Sequence, residues 1–168
     1  MVRVCIVYDT VYGNTKLVAE EIAEGLREFE GIETALRDLE SADPEALSEY
    51  DALLIGSPNH YSGPTEGVKT FIEGLSEKNF EGKLFAVFDT FVGKNSDFFL
   101  GKAVRKMEKA IGEKAPDLKL LAPGLSIRVG GTKGPVVEGE NPKCRDFGRK
   151  IGSQLITRLF PKKNEGSC

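Results

Sequence analysis

A dense group of hydroxyl and amide side chains lies near the start of the chain, between an apolar run and a stretch with helical periodicity. The N–H groups at a helix N-terminus are unpaired and carry the positive end of the helix dipole, so such a loop suits an anion. Gly13 lets the backbone fold closely around a phosphate. The polar side chains are Thr10, Tyr12, Asn14 and Thr15. They predict a phosphate-bearing ligand, and a simple helix cap is the alternative interpretation.

Neither common nucleotide-binding pattern is present in this loop. The segment matches neither GxxxxGK[ST] nor GxGxxG, so it predicts no P-loop and no Rossmann dinucleotide site. Two signalling classes also fit poorly. A receiver domain needs an aspartate at the end of the third strand, but Gly56 stands there. A low-molecular-weight phosphatase needs a Cys-x5-Arg loop after the first strand, but Cys5 comes too early in the chain to begin one.

The elements that must position this loop alternate between strand and helix along the whole chain. Apolar runs of strand length predict strands at Val2–Tyr8, Ile32–Leu39, Ala52–Ile55, Leu84–Phe88, and a fifth at Leu118–Leu121 with Ser126–Val129. Helical spacing and capping signals predict helices at Asn14–Phe29, Asp43–Tyr50, Thr65–Leu75, Phe98–Ile111 and Phe147–Phe160. This alternation predicts an α/β fold with a parallel sheet covered on both faces.

The predicted sheet directs attention to three loops. In an open parallel sheet, ligands bind beyond the carboxyl ends of the strands, where the strand order reverses. Residues 9–15, 56–64 and 89–95 follow the first, third and fourth strands. We therefore expect these three loops to form the binding site.

Length and composition indicate one globular domain. The chain has 168 residues, 40% of them hydrophobic and 29% charged, which predicts a single domain over residues 1–160 and a polar tail over 161–168. No apolar run is long enough for a membrane span, and the N-terminus has no signal-peptide pattern. The cysteines Cys5, Cys144 and Cys168 are widely spaced, which predicts neither a disulfide framework nor a metal site and fits a cytoplasmic location.

Charge is small in total but uneven along the chain. The formal net charge is −3, too weak to indicate nucleic-acid binding. The first fifty residues carry a net charge of −8 and the remainder +5. Cations cluster at Lys94, Lys102–Lys109 and Lys143–Lys150. These stretches are either solvated helix faces or a docking surface for a partner protein.

The N-terminal stretch of residues 6–22 resembles the flavodoxin family. It satisfies the family's pattern at eight positions: two apolar residues, an aromatic residue, Thr10, Gly13, Thr15, Ala19 and Ile22. The resemblance extends over nearly the whole chain. The start of the second loop, Gly56-Ser57-Pro58, is similar to the flavodoxin domains of flavodiiron proteins and to quinone reductases.

The resemblance implies a flavodoxin-like, doubly wound five-stranded parallel sheet of order 2-1-3-4-5, with FMN as cofactor. The FMN phosphate is expected in the first loop and the isoalloxazine ring between the second and third loops. The implied cofactor-binding residues are Thr10, Val11, Tyr12, Gly13, Asn14, Thr15, Pro58, Asn59, His60, Tyr61, Ser62, Thr90, Phe91, Val92 and Gly93.

Some of these residues have more than one interpretation. Of the two aromatic residues in the second loop, His60 and Tyr61, Tyr61 is the better candidate for stacking on the isoalloxazine ring. His60 either contacts the ring or is an exposed loop residue, and Phe91 either covers the outer ring face or belongs to the core. The third loop departs from the family's usual acidic or glycine-rich sequence. A nearby cation stabilises an anionic reduced flavin, so Lys94 predicts a less negative potential for the second one-electron reduction of the flavin. Lys94→Gln would then lower this potential by about 40 mV or more.

The favoured function is electron transfer by bound FMN between redox partner proteins that dock over the exposed flavin edge. The flavin supplies the chemistry, so no side chain is expected to be catalytic. The alternative is a free-standing FMN-dependent NAD(P)H:quinone reductase-like enzyme. We expect no membrane partner and a monomer or weak homo-oligomer.

Overall fold

A computed structural model describes residues 1–60, 62–93 and 102–161. The strands are β1 (Val2–Tyr8), β2 (Ile32–Asp38), β3 (Ala52–Pro58), β4 (Leu84–Val92), β5 (Lys119–Leu120) and β6 (Leu125–Val129). The helices are α1 (Asn14–Arg27), α2 (Glu66–Gly74), α3 (Lys102–Lys114) and α4 (Asn141–Leu159), with short 3-10 helices at Pro44–Glu49 and Leu75–Glu77.

The strands form one parallel sheet of order β2-β1-β3-β4-β5, which confirms the predicted topology. The fifth position is divided between two short strands, since β5 pairs with the start of β4 and β6 with its end. β1 pairs with β2 on one side and with β3 on the other. The strand order therefore reverses beside β1 and β3, the place where an open sheet of this kind binds its ligand.

Helices cover both faces of the sheet, as predicted. One core packs α1 and α4 against the sheet, and the other packs α2 and α3 on the opposite face. β1 serves both cores because its side chains alternate: Val4 and Ile6 face the first, whereas Cys5 and Val7 face the second. Cys5 is a buried free cysteine, in agreement with its position in an apolar run.

Small residues bring α1 and α4 into close backbone contact. A Cβ atom at Gly148 would lie 2.1 Å from the Ile22 carbonyl oxygen, and one at Gly25 would lie 2.2 Å from the Arg145 carbonyl oxygen. Neither position has room for a side chain, so this helix pair requires glycine at both.

Ion pairs flank the contact between α1 and α4. Arg149 makes two hydrogen bonds to Glu28, of 2.7 and 2.8 Å, and Arg145 lies 3.0 Å from Glu21. The basic stretch Lys143–Lys150 thus directs two of its cations toward α1. This favours the interpretation of the stretch as a helix face rather than a docking surface.

Several boundaries differ from the predictions. Both β3 and β4 extend further than their apolar runs, because polar Ser57, Asp89 and Thr90 continue the ladder. The last helix begins at Asn141 rather than Phe147, with a proline in its first turn. The segment after Asp43 is a 3-10 helix, capped as predicted by the Asp43 carboxylate, which accepts the Glu45 N–H. Of the helix predicted at 98–111, residues 98–101 lie outside the described ranges.

None of the helices in the described ranges is both long and apolar enough to cross a bilayer.

Candidate functional site

A cavity of about 350 Å³ opens at the carboxyl ends of the strands where the order reverses. This volume lies within the range of small-molecule and cofactor sites. The structure brings together eleven of the predicted site residues around it: Thr10, Val11, Tyr12, Asn14, Thr15, Pro58, Asn59, His60, Thr90, Phe91 and Val92.

Three of the predicted site residues that the structure describes are not among those that line the cavity. Gly13 shapes the first loop, while Ser62 and Gly93 are in the second and third loops but do not reach the cavity wall. Tyr61 lies outside the described residues, as does Lys94.

The first loop is arranged to bind an anion. Gly13 adopts a left-handed conformation with φ of 90°, and its N–H donates a 2.9 Å hydrogen bond to the Thr10 hydroxyl. Among the described residues, no partner accepts the N–H groups of Val11, Tyr12, Asn14 and Thr15. These groups stand at the N-terminus of α1, so they can bind a phosphate with the favourable end of the helix dipole.

Asp9 holds the first loop in place. Its carboxylate accepts the Thr10 N–H at 3.0 Å and the Thr65 hydroxyl at 2.6 Å. The Thr65 hydroxyl in turn caps α2 by accepting the Val68 N–H. Asp9 therefore connects the first loop to the start of α2 and does not itself line the cavity.

A hydrogen bond between two buried hydroxyl groups joins the first loop to β4. The Thr15 and Thr90 Oγ1 atoms lie 2.9 Å apart, and the two residues are 1% and 4% exposed. The first loop and the end of β4 are thus fixed relative to each other by their side chains. The sequence places these residues 75 positions apart and gives no sign of this contact.

Asn59 in the second loop is half-buried and has a buried side-chain oxygen. The Asn59 N–H donates to the Thr90 carbonyl at 2.7 Å, which extends the pairing of β3 with β4 into the loop. Asn59 Oδ1 is buried with no hydrogen-bond partner among the described residues. A buried acceptor of this kind is expected to be satisfied by a ligand or by water.

The rest of the second loop turns back sharply. His60 and Gly63 exchange backbone hydrogen bonds of 2.7 and 3.1 Å, and Ser62 has a φ of 64°. His60 lines the cavity and is also exposed, so the structure is compatible with both of its interpretations.

The end of β4 forms the wall beside the second loop. Residues Thr90–Val92 belong to the strand rather than to a loop, because all three pair with β6 and Thr90 also pairs with Pro58. Phe91 is only 3% exposed yet lines the cavity, so its two interpretations are compatible. Val92 is 51% exposed and lies at the rim.

Two residues that line the cavity were not anticipated from the sequence. Val129 is the last residue of β6 and Thr132 follows that strand, so both lie beyond the three loops in which the site was sought. The predicted strand at Ser126–Val129 could have identified these residues as candidates for the site. Its carboxyl end must lie at the same edge of the sheet as the other strand ends.

The cavity wall carries little charge. Within the part of the chain that the structure describes, the lining residues include no aspartate, glutamate, lysine or arginine. A phosphate there would meet no carboxylate among the described lining residues.

Asp89 is a fully buried carboxyl group beside the site. Its Oδ2 accepts the Val104 N–H of α3 at 3.1 Å, on the face of β4 opposite Thr90. Its Oδ1 has no partner in hydrogen-bond geometry among the described residues. Burial raises the pKa of Asp89 to about 6, and the nearby Ser126 hydroxyl and the Val104 N–H offset part of the shift.

This raised pKa predicts a pH-dependent stability. An exposed aspartate in the unfolded chain has a pKa of about 3.9, so between pH 4 and 6 the folded chain binds more protons at Asp89. The free energy of unfolding should therefore fall as pH rises through this window. Asp89→Asn keeps an acceptor for Val104 but cannot ionise. Between pH 4.5 and pH 7, the free energy of unfolding of this variant should rise by about 2 kcal/mol relative to that of the parent chain.

Urea unfolding of the FMN-free chain at pH 4.5 and at pH 7 measures this change. Asp89→Ala is the matched comparison, because it also removes the charge but leaves the Val104 N–H without its acceptor. Relative to the parent chain, the stability of Asp89→Ala should change with pH as that of Asp89→Asn does. At both pH values, Asp89→Ala should be less stable than Asp89→Asn. If the difference between Asp89→Asn and the parent chain were the same at both pH values, the raised pKa would be refuted.

Comparison with known proteins agrees with this architecture. The flavodoxin family model matches residues 6–122. "Probable flavodoxin 2" of Bacillus subtilis is 31% identical over 157 residues, covering 92% of this chain and 97% of that protein. The chain therefore belongs to the flavodoxin family. Alignments with the flavodoxins of Clostridium saccharobutylicum and Aquifex aeolicus cover only 55% and 52% of those proteins.

Solved structures share the fold. Flavodoxin 2 from Bacillus cereus, in its oxidised form, is 25% identical, with a TM-score of 0.75 over 90% of this chain and 99% of that chain. A flavodiiron core, Flv1 from Synechocystis, is 18% identical, with a TM-score of 0.73 over 94% of this chain and 36% of that chain. The second likeness shows a shared fold.

Flavodoxins bind FMN, and the cavity residues fit this cofactor. The unpaired N–H groups of the first loop match a phosphate, and no carboxylate among the described lining residues opposes it. The buried Asn59 Oδ1 is an acceptor for an N–H group, which the pyrimidine edge of the isoalloxazine ring carries. Pro58 and Phe91 line the cavity, and apolar residues of this kind fit a flat aromatic ring.

Proposed function

We propose that this chain binds FMN in the cavity and carries electrons between partner proteins. The observation that carries the proposal is the first loop, where N–H groups without partners among the described residues surround a polar pocket at the start of α1. In this arrangement residues 10–15 hold the phosphate. Asn59, His60, Phe91 and Val92 enclose the ring.

The chain's own residues bind and orient the cofactor. When bound, FMN supplies the electron-transfer chemistry. The hydrogen bond between Thr15 and Thr90 fixes the distance between the phosphate loop and the ring wall, and Asp9 fixes the loop against α2. No side chain in the described part of the cavity is assigned a role as acid, base or nucleophile.

Redox partners are proposed to dock over the exposed edge of the flavin. Val11, Tyr12 and Val92 are 65%, 51% and 51% exposed and lie at the cavity rim. Apolar residues at such a rim can pack against a partner protein and shorten the path for the electron.

We further propose that residues 1–160 form one FMN-binding domain. The free buried thiols of Cys5 and Cys144 support a cytoplasmic location.

An anaerobic titration of the FMN-reconstituted chain with dithionite tests the proposal. We expect stoichiometric FMN binding and two separate one-electron reduction potentials, as a single-electron carrier requires. Failure to retain FMN would refute the assignment of the first loop. A single two-electron step, together with steady NAD(P)H oxidation in the presence of a quinone, would instead identify the chain as a reductase.

A further inference from the structure

The segment after β6 folds back as a short hairpin, here called the 130s hairpin and comprising residues 129–136. Val129 and Val136 form an antiparallel bridge, and the Gly130 N–H donates to the Pro135 carbonyl at 2.8 Å. At the tip, the Gly134 N–H donates to the Gly131 carbonyl at 2.9 Å. These backbone hydrogen bonds give the hairpin a defined shape rather than that of an open loop.

The 130s hairpin is seated on the first residue of α1. A Cβ atom at Gly134 would lie 2.4 Å from Asn14 Oδ1, so the backbone of the hairpin packs directly against the Asn14 side chain. Gly134 also has a φ of 98°, which residues with a side chain rarely adopt. The hairpin thus extends from β6, on the far side of β4, to the helix that begins at the phosphate loop.

Thr132 lies in this hairpin and lines the same cavity as Thr10 and Asn14. Its hydroxyl can donate and accept hydrogen bonds. The hairpin contacts Asn14, the first residue of α1. It therefore approaches the cavity at the N-terminus of α1, where N–H groups without partners among the described residues are expected to bind the phosphate.

We propose that the 130s hairpin is a fourth wall of the FMN site and that the Thr132 hydroxyl binds the phosphoribityl tail of the cofactor. This inference rests on the proposed function and extends it. Thr132 is then a specificity-determining residue, because it discriminates between flavins with the polar tail and flavins without it.

Binding of three flavins to the FMN-free chain, followed by flavin fluorescence, tests the proposal. The probes are FMN, riboflavin, which lacks the phosphate, and lumiflavin, which lacks the whole tail. Thr132→Val should weaken FMN binding about tenfold, the expected effect of losing one hydrogen bond to a ligand, and leave lumiflavin binding unchanged. Thr132→Ser keeps the hydroxyl and should bind FMN within about twofold of the parent chain.

Riboflavin identifies which part of the tail Thr132 contacts. Unchanged riboflavin binding by Thr132→Val places the contact at the phosphate, and an equal loss for riboflavin and FMN places it at a ribityl hydroxyl. Both results support the proposal. Unchanged FMN binding, or an equal loss for FMN and lumiflavin, would overturn it.

A second variant tests the hairpin itself. Gly134→Ala forces the hairpin away from Asn14, so FMN affinity should fall at least as far as in Thr132→Val, with the helical content of the chain retained. FMN affinity equal to that of the parent chain would show that the hairpin is not part of the site. If the parent chain bound no FMN, the proposed function would fail first, so the two failures are distinguishable.

Discussion

Replacing Gly148 with alanine is expected to lower the free energy of unfolding by about 2 kcal/mol. The added Cβ would lie 2.1 Å from the Ile22 carbonyl oxygen and 3.1 Å from the Gly25 Cα atom, so only a shift of the two helix backbones could accommodate it. Overpacking of this kind costs about 1–3 kcal/mol or more, and it exceeds the gain of about 1 kcal/mol from alanine's helix propensity. Urea unfolding monitored by circular dichroism measures the loss.

Gly112→Ala is the matched control for this prediction. Gly112 also lies within a helix, α3, but a Cβ atom there would meet nothing within 4 Å. This variant should therefore gain up to about 1 kcal/mol from helix propensity alone. Equal effects of the two substitutions would show that α1 and α4 do not approach as closely as described.

Replacing Thr10 with aspartate is expected to weaken FMN binding by at least a hundredfold. The cavity residue Thr10 lies in the proposed phosphate loop, and an added carboxylate about 4–6 Å from the phosphate costs about 3–4 kcal/mol at the effective dielectric of a protein surface. An aspartate can still accept the Gly13 N–H, as the Thr10 hydroxyl does, so the local fold should be retained. Fluorescence titration of the FMN-free chain measures the affinity.

Riboflavin and a serine variant separate the charge effect from loss of structure. Riboflavin has no phosphate, so its affinity for Thr10→Asp should change less than about threefold. Thr10→Ser should bind FMN nearly as well as the parent chain. If Thr10→Asp weakened riboflavin and FMN binding equally, the phosphate would not be in the first loop, and the proposed orientation of the cofactor would be wrong.

Much of this protein could be predicted from local signals. The apolar runs at Val2–Tyr8 and Leu84–Phe88 identify buried strands, and the spacing of apolar residues after Asn14 identifies α1. The polar cluster at residues 10–15 lies at the start of α1, where an anion site was expected. These features depend on residues close in sequence, so periodicity and composition reveal them.

The boundaries of elements were less predictable because they depend on pairing rather than on residue type. Ser57 and Asp89 are polar, yet they continue β3 and β4 because each strand has a neighbour to pair with. α4 begins before its apolar periodicity does, because Pro142 starts the helix ahead of its buried face.

By itself, the sequence determined the parallel α/β fold, the order of its elements and the family, and it predicted the phosphate loop. Only the tertiary structure decided which distant residues complete the site. Thr15 meets Thr90, Thr132 reaches the cavity, Gly148 lies against Ile22, and Asp89 is buried with one oxygen unpaired among the described residues. The physical reason is that each of these contacts joins segments far apart in the chain. Packing and loss of water at such contacts leave no periodic signal in either segment.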